Sequence, residues 1–71
     1  MLTNGQIARI FRAMRVGLAL TQQDVAEAFG VDTTTISRWE RAGMRIPADV
    51  YVNAPVVMLA LAAQSPDDTS E

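Results

Sequence analysis

Seventy-one residues suffice for one domain with a single small core. The chain has no cysteine, histidine or lysine. Disulfides, thiolate or imidazole metal sites and the usual nucleophile–base pairs are therefore excluded, and neither catalysis nor a cofactor is expected. The formal net charge is −2, but three of the eight acids (Asp67, Asp68 and Glu71) lie at the end. Six arginines face five acids up to residue 64, a balance that permits nucleic acid as a partner without requiring it.

Thr3 with Gln6 three positions on forms a capping box. Ile7, Ile10, Phe11 and Met14 follow at the spacing of one helical face, which predicts a helix over 4–16 with Gly17 as its left-handed stop. Thr21 and Asp24 open a second helix, from Gln22 to Phe29, with Val25, Ala26 and Phe29 on its apolar side and Gly30 at its end. Asp32 caps a third, through Thr33, Thr34, Thr35, Ile36, Ser37, Arg38, Trp39 and Glu40, with Gly43 assigned to its exit. Threonine is a weak helix former, so this helix depends on Ile36 and Trp39 packing inward. Pro47 suits the first turn of a new element carrying Val50, Tyr51 and Val52. Pro55 suits a helix start but not a helix middle. A break at Asn53-Ala54 is therefore expected, followed by a last helix within 55–64; one kinked helix from Pro47 onward is the alternative. The expected domain is 1–64, and the polar, acidic residues 65–71 read as a disordered tail.

No stretch reaches the roughly 18 apolar residues of a membrane span, and the opening Met1-Leu2-Thr3-Asn4 lacks the basic segment and apolar run of a signal peptide. A cytoplasmic protein without membrane contact is expected.

The most specific segment is 21–41. Two short helices that cross steeply need a small residue where they touch, a glycine at the turn, and apolar residues joining the pair to the body. Ala26, Gly30, and then Val25, Phe29, Val31, Ile36 and Trp39 meet those needs. The residues from Leu20 to Val31, together with Ile36-Ser37-Arg38-Trp39-Glu40, resemble the lambda repressor and Cro-type (XRE-like) helix-turn-helix proteins over about residues 4–46. The resemblance implies an all-α bundle of four or five helices. It also implies a phage or bacterial DNA-binding regulator, usually a homodimeric repressor of its own promoter on a palindromic operator. In many such proteins a helix 1 arginine pairs with the glutamate closing helix 3, the positions held here by Arg15 and Glu40, and a glutamine at the place of Gln22 contacts the DNA backbone.

Residue chemistry points the same way. With Ile36 and Trp39 facing inward, Thr33, Thr34, Ser37 and Arg38 face outward, where a recognition helix meets the major groove. Threonine can bond base edges or meet a thymine methyl, and arginine can grip guanine with both arms of its fork. Gln22, Thr35, Arg41 and Arg45 are candidates for phosphate contact, and Tyr51, Val56, Met58 and Leu59 for a dimer interface. Each has an ordinary counterpart: a threonine run after aspartate is commonly a solvated helix start, and an arginine commonly a surface charge. An antitoxin-like or coactivator-like protein-interaction module on the same fold is the competing function. No small-molecule effector is expected, since so short a chain leaves little volume for a pocket.

Overall fold

The computed structural model describes residues 1–64 and contains four helices: α1 (Asn4–Gly17), α2 (Gln22–Phe29), α3 (Thr33–Glu40) and α4 (Ala48–Ala63). Residues 65–71, expected as a tail, lie outside the described residues. Among the described residues there is no strand, and no helix is long and apolar enough to cross a membrane.

The helix starts follow local chemistry. At α1 the Thr3 hydroxyl accepts from the Gln6 N–H at 3.1 Å while the Thr3 N–H donates to Gln6 Oε1 at 2.8 Å. Thr21 and Asp24 make the same reciprocal pair at α2, both bonds at 3.0 Å. Asp32 caps α3 by accepting the Thr35 N–H at 2.8 Å. Each cap satisfies amides that the first turn leaves without a helical partner.

The exits differ from expectation. Gly30 is left-handed, with φ of 70°, but among the described residues the other two left-handed ones are Ala19 (φ 60°) and Ala42 (φ 58°), rather than Gly17 and Gly43. At each exit the chain folds back in a Schellman pattern: Leu20 N–H bonds the Arg15 carbonyl and Ala19 N–H the Val16 carbonyl. At α3, Gly43 N–H bonds the Arg38 carbonyl and Ala42 N–H the Trp39 carbonyl. Packing sets these positions. Leu18 and Leu20 both lie against the core, so the reversal falls between them on Ala19. Beyond Ala42 the chain must return the fully buried Ile46 to the interior.

Phe11 sits at the centre of the core with Val25, Ile36, Ile46 and Met58. Trp39 meets its ring edge-on, centroids 6.0 Å apart, and Phe29 meets it at 6.2 Å. Burying each of these side chains contributes about 2 kcal/mol. α1 and α2 each pack against both α3 and α4, so one core serves all four helices.

Two expectations for α4 are corrected. No break occurs at Asn53-Ala54; Pro55 lies inside one continuous helix. Ala54 and Met58, one turn apart, are both fully buried, and only an unbroken helix places both on the core. Pro55 deprives the Tyr51 carbonyl of its helical donor, but both residues are exposed, so water can meet that oxygen. Met58, a candidate for the dimer interface, is core and has no surface to offer.

Candidate nucleic-acid interface

α3 is anchored from below. Ile36 and Trp39 are buried, and on the opposite side Thr33, Thr34 and Arg38 are exposed. Thr35 and Ser37 flank that outer side and are half-buried. Ser37 therefore presents less surface than its place on the outward face predicts. Arg41, at the C-cap of α3, is exposed. Arg45 is also exposed, and lies beside the start of α1, where it shares a shallow groove with Leu2, Asn4 and Tyr51.

Among the described residues the sole ion pair is Arg15–Glu40. Arg9, Arg12, Arg38, Arg41 and Arg45 are consequently not neutralised by pairing within that part of the chain. The Asp32 carboxyl is held below its ordinary range, first by the Thr35 backbone N–H and hydroxyl and then by the nearby Arg38 cation. The same carboxylate thus caps the helix and lies within the field of its one cation, Arg38.

Under the α2–α3 pair runs a polar network. Arg15 Nε donates to Glu40 Oε2 at 2.6 Å and Nη2 to Oε1 at 3.0 Å, a two-pronged grip. Arg15 Nη1 donates to the Leu20 carbonyl at 2.8 Å, and Gln22 Nε2 donates to Glu40 Oε1 at 3.2 Å. The side chains of Arg15 and Glu40 are only 12% and 3% exposed, where a charge without its partner costs several kcal/mol. The network ties the end of α1, the turn after it, the start of α2 and the end of α3 into one unit. It thereby fixes the angle at which α3 projects.

The sequence offers Gln22 as a DNA-backbone contact and carries no sign of its bond to Glu40. The bond spans 18 residues, and although the α2–α3 crossing is marked in the sequence, nothing near Gln22 or Glu40 marks the two side chains as partners. The structure brings together Arg15, Gln22 and Glu40 inside, and Thr33, Thr34 and Arg38 outside. It leaves Arg45 apart from both groups. Among the candidates for self-association, Tyr51, Val56 and Leu59 are exposed on α4. Among the described residues no cluster of carboxylates could hold a metal ion.

No curated protein and no solved structure matches the chain. A family model described as helix-turn-helix matches residues 11–51, from the middle of α1 to the first turn of α4 and across the whole α2–α3 unit. With more than half of its length covered by that match, the chain belongs to the helix-turn-helix family, Cro-type and XRE-like, and is a DNA-binding transcription regulator.

Proposed function

We propose that the protein is a homodimeric repressor that binds a palindromic operator by laying α3 in the major groove. The observation that carries this reading is the division of α3: apolar anchors below, and Thr33, Thr34 and Arg38 exposed above. Thr33, Thr34, Ser37 and Arg38 read base edges, and Arg38 reads guanine through its fork. Gln22, Thr35, Arg41 and Arg45 hold phosphates and so set register and orientation. Because Gln22 is tethered to Glu40, a phosphate it touches is positioned relative to α3 itself.

Two copies related by a two-fold axis place their recognition helices in successive major grooves, about 34 Å apart. Occupying a promoter in this way is sufficient to exclude other proteins from it. The protein acts in the cytoplasm, where its DNA target lies, and dose and operator arrangement control it rather than a small effector.

Selection from random duplex DNA, followed by sequencing, tests this function. The expected result is a pair of inverted half-sites about one helical turn apart, with affinity falling steeply as salt rises. Recovery of no enriched duplex, from protein that remains a monomer, would instead favour the protein-interaction module.

A further inference from the structure

α4 is apolar on nearly every side. Among its 16 residues only Asp49 is charged, and Tyr51, Asn53 and the flanking Gln64 are its other polar groups. A helix of this composition normally lies inside a protein. Here Ala54 and Met58 are buried while Tyr51, Val52, Val56 and Leu59 are 38% to 70% exposed. The 3.6-residue period places Tyr51, Val52, Pro55, Val56 and Leu59 on one continuous flank. The neighbouring flank of α1 is also apolar. Shallow grooves run along the junction, lined at one end by Leu2, Ile10 and Tyr51, and at the other by Ala13, Gly17, Pro55 and Leu59. No charged residue lines them; Arg9 and Arg45 stand in the adjoining grooves, the first beside Ile10 and the second beside Leu2 and Tyr51.

We infer that this α1–α4 face is the seam of the dimer, and that its occupant is the same face of a second copy. The inference rests on the dimeric reading above and adds to it the α1 half of the contact, with Met58 removed. Two features select self-association. A face that meets itself across a two-fold axis cannot carry one sign of charge without repulsion, and this one is nearly uncharged. Its six large side chains (Leu2, Ile10, Tyr51, Val52, Val56 and Leu59) expose on the order of 600 Å² per copy, which with a rim approaches the about 800 Å² per partner of a stable interface. The small residues Ala13 and Gly17 leave a notch beside Pro55 into which a partner's Val56 or Leu59 side chain fits. Thr33, Thr34 and Arg38 do not line this groove, so both recognition faces stay free.

Sedimentation equilibrium up to millimolar protein, with circular dichroism to check folding, tests the seam. Val56→Asp and Ile10→Asp are compared with Val16→Asp, an exposed position on α1 that does not line the grooves. All three sites are exposed, so helical content is expected to persist. The expected result is a wild-type dimer whose self-association falls at least about a hundredfold in the first two variants and is unchanged in the third, since each substitution enters a symmetric interface twice. The monomeric variants should keep the base preference of a single half-site. A wild-type dimer indifferent to Val56→Asp and Ile10→Asp would overturn this seam and leave the dimeric reading standing. A wild-type monomer at millimolar concentration would overturn both.

Discussion

α3 and α4 share a core and differ in almost everything else. α3 has eight residues, three of them threonines at its start, and it persists through a carboxylate cap, two deeply buried side chains and the Glu40 network. α4 has sixteen, no side-chain cap and a proline in its interior, and it persists because Ala54 and Met58 are held in the core. The outer faces also contrast: hydroxyls and a guanidinium on α3, aliphatic side chains on α4. A weak helix former can thus carry a polar functional face when its underside is firmly fixed. A helix with apolar residues all round is fixed from one side and still presents an apolar surface on the other.

The comparison breaks most readily at Glu40. Glu40→Ala strands the Arg15 cation and releases Gln22, and is expected to cost about 3–5 kcal/mol in denaturant unfolding. An Arg15→Met/Glu40→Leu double variant should lose less than that single one. On the α4 side, Met58→Ala empties a fully buried site and should cost about 3 kcal/mol, whereas Leu59→Ala, one residue along and exposed, should change monomer stability by less than about 0.5 kcal/mol. A large loss at Leu59 in the monomer would show that the two sides of α4 had been assigned wrongly.

On the outer face of α3, Arg38→Ala should weaken specific binding by about 1–3 kcal/mol and relax one base position while leaving the fold intact. Unchanged affinity and base preference in a mobility-shift titration would remove Arg38 from the readout. Ala42→Gly relieves a left-handed alanine at the exit of α3 and is expected to raise stability by about 0.5–1 kcal/mol, visible as a higher denaturant midpoint.

The smallest effect concerns Asp32. Its folded pKa lies below the ordinary 3.8, so its contribution is complete above that value and is lost as pH falls through the lowered one. The difference in thermal midpoint between wild type and Asp32→Asn should therefore hold steady near neutrality and shrink in acid below about pH 4. A difference that grows on acidification would contradict the shift.

Much of the α2–α3 unit was legible because its signals are short-range. A hydroxyl or carboxylate reaches an amide three residues away whatever the rest of the chain does, so Thr3, Thr21 and Asp32 announced three helix starts. The spacing of Ile36 and Trp39 likewise marked the underside of α3. The helix exits were less legible, because the strain of a left-handed alanine, about 1–2 kcal/mol, is smaller than the gain from returning Leu18, Leu20 and Ile46 to the core. α4 is the least legible element: with apolar residues on every side it has no stripe to separate inside from outside, so nothing local marks Met58 as core.

Taken alone, then, the order of residues determined where α1, α2 and α3 begin and which side of α3 points outward, since caps and helical periodicity act over three or four positions. The continuity of α4 through Pro55, the left-handed turns at Ala19 and Ala42, and the bond from Gln22 to Glu40 were decided only in three dimensions. Each depends on groups far apart in the chain meeting around Phe11, where filling the core outweighs the local preference of any one residue.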